Sequence, residues 1–137
     1  MAFVLDNSVV CGWILENQAT DYSAAIAKRL EQERAVVPPF LHLEYVNVLR
    51  TACKRQVMFA SQAQELLAQL SRLPIEVNSN SPEPGLILAL ALRYELTSYD
   101  AVYLELALRM QLPIATQDAA LAEAARIAGV GVVACEV

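Results

Sequence analysis

The chain has 137 residues, a length that suits one domain, and 56% of them are hydrophobic, which is above the ~45–50% usual for globular domains. We therefore expect a single domain over residues 1–137 whose excess apolar surface is buried in its core or by self-association. The longest apolar run, Leu86 to Leu92, is much shorter than the ~18 residues that a membrane-spanning helix needs. The formal net charge of −5 argues against a broad basic surface for nucleic acid.

Short apolar segments alternate with longer amphipathic ones along the chain. The pattern predicts strands at 3–5, 35–37, 75–77, 112–115 and 130–134. It predicts helices at 8–15, 21–32, 40–54, 60–73, 81–94, 98–110 and 118–128. This alternation is typical of an α/β fold with a mostly parallel sheet covered on both faces. In such sheets, functional groups gather at the carboxyl ends of the strands.

Three cysteines, Cys11, Cys53 and Cys135, are odd in number and widely spaced. They match neither a zinc pattern nor a disulfide framework. This cysteine usage predicts a reducing compartment, the cytoplasm.

Acidic residues occupy positions at which a parallel sheet would bring them together. Asp6 directly follows the first strand, Asp118 closely follows the strand at 112–115, and Asp100 lies in the first turn of the helix at 98–110. Glu44 lies in the first turns of another helix, within an apolar stretch. The sequence therefore predicts one acidic cluster.

A simpler reading treats these acids as separate helix caps. Aspartate is favoured at helix starts, where it complements the helix dipole, and Asp100 or Asp118 alone would be ordinary there. Glu44 alone could be a surface acid. Asp6 is harder to explain, because a charge next to a central strand is costly unless it is used.

The residue types favour metal-assisted chemistry. Mg²⁺ takes oxygen ligands, and carboxylates around one cleft can bind one or two such ions, which activate water and neutralise charge on a phosphodiester. His42 is the only histidine, so a histidine-based nuclease or a Ser–His–Asp hydrolase is disfavoured. The four glycines form no phosphate-binding loop.

Four blocks in order resemble the PIN-domain ribonucleases, and most of all the VapC-type toxins of bacterial toxin–antitoxin pairs. They are Val4-Leu5-Asp6-Asn7-Ser8, Val37-Pro38-Pro39 followed by Leu43 to Leu49, Tyr99 to Leu104, and Leu112 to Asp118. The resemblance spans nearly the whole chain, and the ordered set is more specific than any one block.

The resemblance implies a three-layer α/β/α PIN-like domain that cleaves single-stranded RNA with Mg²⁺, or with Mn²⁺ in its place. It implies a homodimer inhibited by a cognate VapB-like antitoxin. It also implies the site residues: Asp6, Glu44, Asp100 and Asp118 as catalytic metal ligands, and Ser8 and Thr116 as hydroxyl groups that support the acids or touch substrate. Turn and capping chemistry is the alternative for these two hydroxyls.

Other candidate residues are expected to have structural roles. His42, where relatives tend to have proline or an apolar residue, is expected to be partly exposed rather than a ligand. Glu105 is expected to face solvent. Trp13 is expected to be buried, and Tyr99 and Tyr103, four residues apart, are expected to pack in the core or a dimer.

Other functions remain open at this point. Receiver domains and haloacid-dehalogenase phosphatases also place acids at the carboxyl edge of a sheet, but both need a late lysine, and Lys54 is the last one here. A non-catalytic interaction module on the same fold and a housekeeping RNA-processing PIN nuclease are the remaining alternatives.

Overall fold

A computed structural model of the protein describes residues 1–134, and it confirms the predicted α/β architecture. The strands are β1 (Ala2–Leu5), β2 (Arg34–Val37), β3 (Ile75–Val77) and β4 (Ile114–Ala115). The helices are α1 (Asn7–Ile14), α2 (Asp21–Arg29), α3 (Leu41–Lys54), α4 (Ala60–Leu70), α5 (Pro84–Tyr94), α6 (Ser98–Met110) and α7 (Ala119–Ala128), with a 3₁₀ turn at Glu16–Gln18. The predicted strand at 75–77 has the bounds of β3.

The four strands form one parallel sheet in the order β3-β2-β1-β4. Val4 lies at its centre, paired with Val36 on one side and with Ile114 on the other. The last three residues of β1 and of β2 are buried without alternation, which is the pattern of a sheet covered by helices on both faces. The crossover helices therefore enclose the sheet, and all four strands present their carboxyl ends at the same edge.

Local signals explain where several helices begin and end. Thr20 caps α2 through a reciprocal pair of hydrogen bonds with Ser23, and Thr97 caps α6 by accepting from the backbone N–H of Asp100. Pro84 opens α5, where a missing N–H costs nothing. Gly129, in a left-handed conformation, ends α7.

The predicted fifth strand at 130–134 is wrong. Val132 forms a single parallel bridge with Ile114, and no longer strand is present there among the described residues. Gly131 has a φ of 79°, which an extended strand does not allow, so the chain meets the edge of β4 at one point only. The predicted helices at 21–32 and 60–73 end earlier, at Arg29 and Leu70.

The predicted solvent-facing position of Glu105 is also wrong. Glu105 is only 5% exposed, and its carboxylate pairs with the guanidinium group of Arg109, with 2.6 Å between Nε and Oε1. Residues 103–107 of α6 are all buried, so this helix has no polar face at that level. Nowhere in residues 1–134 is there a helix with the length and apolar character to cross a membrane.

Candidate active site

Asp6 lies at the carboxyl edge of the sheet, beside the end of β4. Its backbone N–H donates to the carbonyl oxygen of Ala115 (3.2 Å), so the residues that follow the two strands are side by side. Thr116 is the next residue after β4, and its hydroxyl group donates to Oδ2 of Asp6 at 2.6 Å. Both residues are buried, at 4% and 5% exposure. The parallel pairing of β1 with β4 thus creates this contact between residues 110 positions apart.

Ser8 holds the other oxygen of the same carboxylate. Its hydroxyl group donates to Oδ1 of Asp6 at 2.6 Å, and its backbone N–H donates to the same atom at 3.1 Å, which makes Asp6 the N-cap of α1. The backbone N–H of Gln117 donates to the Ser8 hydroxyl oxygen (2.7 Å), which orients the hydroxyl proton towards Asp6. The Asp6 carboxylate is therefore fixed from both sides.

Asp118 is joined to this network through the backbone. Its N–H donates to the hydroxyl oxygen of Thr116 at 3.0 Å, and its Oδ2 accepts from the N–H of Leu121 at 2.8 Å, so Asp118 is the N-cap of α7. The cap interpretation is thus correct for the local structure of Asp118, and Asp6, which capping was expected to explain least well, is also an N-cap. Capping does not keep them apart from the other acids, because both caps stand at the same edge of the sheet.

Asp100 and Glu44 reach the site from two helices. Asp100 lies in the first turn of α6 and is partly buried. Glu44 lies in the first turn of α3, also partly buried, and its Oε1 accepts a hydrogen bond from the hydroxyl group of Tyr103 at 2.5 Å. Phe40, just before α3, packs edge-on against the Tyr103 ring with 5.4 Å between centroids.

The pKa values indicate that these carboxylates share one environment. Burial is the main cause that raises the pKa of Asp6 from 3.8 to about 6; the Ser8 and Thr116 hydroxyls lower it, and the charge of Asp100 raises it further. Burial also raises the pKa of Glu44, with repulsion from Asp100 added. The pKa of Asp100 is raised by burial and then by repulsion from Asp118. Asp100 is thus the acid whose charge interacts with each of the other three carboxylates.

The donor set fits a hard divalent cation. Each ion pair within residues 1–134 involves a different acid (Glu33, Glu76, Glu105 or Glu123), so the four site carboxylates have no basic partner in this part of the chain. The described residues contain no preformed group of three acidic, histidine or cysteine ligands. Mg²⁺ does not need one, because it usually keeps several waters and takes one or two carboxylates.

Sequence reasoning missed the role of Tyr103. It predicted packing for this residue, and the ring is indeed buried at 1% exposure, but the hydroxyl group bonds to Glu44, 59 positions away in sequence. Its position three residues after Asp100, on the same helix face, was the only available signal. The pKa of Tyr103 is raised, first by burial and then by the bond to Glu44, so the phenol remains a donor.

The remaining predicted positions are structural. His42 is exposed, and its Nδ1 lies 2.6 Å from the hydroxyl group of Tyr45, so its ring is bonded to a neighbouring side chain of the same helix. Trp13 is partly buried, and its indole N–H donates to the backbone oxygen of Ser23 at 2.6 Å. Tyr99 is 59% exposed and packs edge-on against Phe40.

A parallel α/β sheet whose carboxyl edge carries carboxylates that pair with no base in the described part of the chain defines a class of proteins suited to metal-assisted chemistry on anionic substrates. The family model of the PIN domain matches residues 3–127, and the chain therefore belongs to the PIN-domain family. PIN domains are typically nucleases and generally use divalent metal ions.

A solved structure shares this fold. The crystal structure of PAE2754 from Pyrobaculum aerophilum is 22% identical in sequence, with a TM-score of 0.68, over 90% of this chain and 79% of that chain. A comparison with curated proteins gave no match.

Proposed function

We propose that the protein is a Mg²⁺-dependent endoribonuclease that cleaves single-stranded RNA, with Mn²⁺ as a possible substitute. The observation that supports this most is the set of four carboxylates around Asp100, within a PIN domain, that have no basic partner among residues 1–134. Since RNA is itself anionic, such a cleft would repel the substrate unless cations were bound between them.

In this proposal, Asp6, Glu44, Asp100 and Asp118 would hold the ion, one or two of them directly and the others through its bound waters. The ion would supply a nucleophile at neutral pH and neutralise charge on the scissile phosphate. Ser8 and Thr116 keep the Asp6 carboxylate in one orientation through their hydroxyl protons. Asp118 stays in place as the cap of α7. The burial of Asp6 limits access of bulk water to that side of the site.

The test is cleavage of a labelled single-stranded RNA. Purified protein should cut it with Mg²⁺ or Mn²⁺ and lose activity in excess chelator. Asp100→Asn should lower turnover by orders of magnitude, because it removes the charge that links the cluster, while the far-UV spectrum stays unchanged. Asp21→Asn is the matched control, since Asp21 is an exposed acid in the first turn of α2, and it should keep wild-type turnover. Cleavage in chelator, or equal turnover of both variants, would contradict the proposal.

We further propose that the protein is the toxin of a toxin–antitoxin pair and forms a homodimer. Large apolar side chains are exposed on several helices, among them Leu43 (72%), Leu88 (60%) and Leu92 (72%). Apolar surface of this extent supports coverage by another chain. The acidic cleft suits an arginine of a basic antitoxin tail, whose planar fork matches carboxylates.

Expression from the native operon tests the toxin role. A small second protein should co-purify with this chain and inhibit its RNA cleavage, and size-exclusion chromatography with light scattering should give the mass of a dimer for the free protein. If the host tolerates high expression of the active wild-type protein alone, a housekeeping RNA-processing nuclease is the better explanation.

A further inference from the structure

Tyr103 connects two of the proposed metal ligands through one helix and one hydrogen bond. Its hydroxyl group donates to Oε1 of Glu44 at 2.5 Å. Tyr103 also follows Asp100 by three positions on α6. Residues at this spacing share a helix face, so Tyr103 and Asp100 point to the same side of α6. Glu44 comes from a different helix, α3, and this contact couples its position to that of Asp100.

The Tyr103 ring has little freedom to move. It is 1% exposed, and Phe40 packs against it edge-on at an interplanar angle of 78°. The hydroxyl group therefore has a fixed position at the end of a rigid ring. A glutamate side chain, by contrast, has several rotatable bonds and loses that freedom when it binds an ion.

We propose that Tyr103 is a positioning residue, whose hydroxyl group fixes the Glu44 carboxylate before the metal ion binds. One carboxylate oxygen is held by the phenol, and the other accepts no hydrogen bond from the described residues. Fixing a ligand in advance lowers the entropy cost of binding, and a hydrogen bond to a ligand also orients it. This inference rests on the proposed metal-dependent function and adds a residue that serves the ion without touching it.

The test is the affinity for Mn²⁺, measured by calorimetry on the metal-free protein. Tyr103→Phe removes only the hydroxyl group and should weaken Mn²⁺ binding by about 10–100-fold, as is usual when a partner of a metal ligand is lost. Tyr22→Phe is the matched control. The Tyr22 hydroxyl donates to the backbone oxygen of Val133 at 2.8 Å, and its removal should leave Mn²⁺ affinity unchanged.

A double-mutant cycle separates positioning from general packing. In a Glu44→Ala background, which removes the acceptor oxygen, Tyr103→Phe should cause little further loss of Mn²⁺ affinity, because its effect passes through the Glu44 carboxylate. An equal loss in both backgrounds would contradict the inference. If the wild-type protein binds no Mn²⁺, the proposed function itself fails; if it binds Mn²⁺ and Tyr103→Phe binds it equally well, only this inference fails.

A second measurement covers the case in which Tyr103→Phe does not fold. Nuclear magnetic resonance of the wild-type protein should show a slowly exchanging Tyr103 hydroxyl proton. That resonance should shift when Mg²⁺ is added and should be lost in Glu44→Ala. Its absence from the wild-type spectrum would overturn the inference.

Discussion

At the scale of single residues, Asp6 shows how burial and hydrogen bonding oppose each other at this site. Burial alone would raise its pKa further than the value of about 6, but the Ser8 and Thr116 hydroxyl groups favour the charged form. Burial thus disfavours the charged form of the carboxylate, while the two hydroxyl groups hold its oxygens in place. A divalent ion would relieve the remaining cost, because it supplies the missing counter-charge.

Thr116 offers a direct test of this balance. Thr116→Val replaces the hydroxyl group with a methyl group of similar size, and so leaves Oδ2 of Asp6 and the N–H of Asp118 without their partner. We expect Mg²⁺ affinity and turnover to fall by about 10–100-fold. Thr116→Ser keeps the hydroxyl group and should retain most of both. Metal titration and initial cleavage rates measure this, and equal losses in the two variants would show that the hydroxyl group is not what matters.

At the scale of helices and strands, the sequence predicts which residues follow the strands better than it predicts how the helices pack against one another. Asp6 and Asp118 were placed correctly because each follows a short apolar strand, and parallel strands end at one edge. The contact between Tyr103 and Glu44 could not be predicted, since it depends on how α3 and α6 pack. The sequence did not predict the burial of Glu105, because that burial depends on the packing of other elements around α6. The ion pair with Arg109 neutralises the buried charge.

The contact between α1 and α2 depends on Gly12, which no motif or periodicity in the sequence distinguishes. A Cβ at Gly12 would lie 2.5 Å from Oγ and 2.6 Å from Cβ of Ser23, which is too close. Ser23 cannot easily move away, because its side chain exchanges hydrogen bonds with Thr20 at the start of α2 and its backbone oxygen accepts from Trp13. The two helices therefore pack more closely than any side chain at position 12 would allow.

Gly12→Ala should destabilise the protein by about 1–3 kcal/mol, the usual cost of adding a methyl group to a filled contact. Gly85 in α5 is the control, because nothing lies within 4 Å of its added Cβ. Gly85→Ala should be neutral or stabilise by up to about 1 kcal/mol, through reduced freedom of the unfolded chain. Urea unfolding curves of the three proteins compare the free energies. If the two variants unfold alike, the close contact between α1 and α2 is not rigid.

At the scale of the whole molecule, the acid cluster should make stability depend on pH in an unusual direction. The pKa of Asp6 is about 6 in the folded protein against 3.8 for an ordinary aspartate, so the folded state binds the proton more tightly. Well below pH 3.8 the group is protonated in both states and imposes no cost. As the pH rises from about 4 through 6, the folded state becomes less favoured, by roughly 3 kcal/mol at about 1.4 kcal/mol per pKa unit. The raised pKa values of Glu44 and Asp100 act in the same direction.

We therefore expect the metal-free protein to have a lower free energy of unfolding at pH 7.5 than at pH 4.5, measured by urea unfolding at constant ionic strength. Mg²⁺ should reverse this loss at pH 7.5, because the ion binds only the folded site.

Asp100→Asn should stabilise the metal-free protein at pH 7.5, or leave it unchanged, because the variant loses a repelling charge without losing a helix cap. The cap of α6 is Thr97, not Asp100. The same variant should abolish most of the Mg²⁺ response. Four independent caps would behave differently, because each carboxylate would add stability as it ionises near a helix start. Stability that rises from pH 4.5 to 7.5, with no Mg²⁺ effect on the wild-type protein, would mean that these carboxylates do not form one metal site.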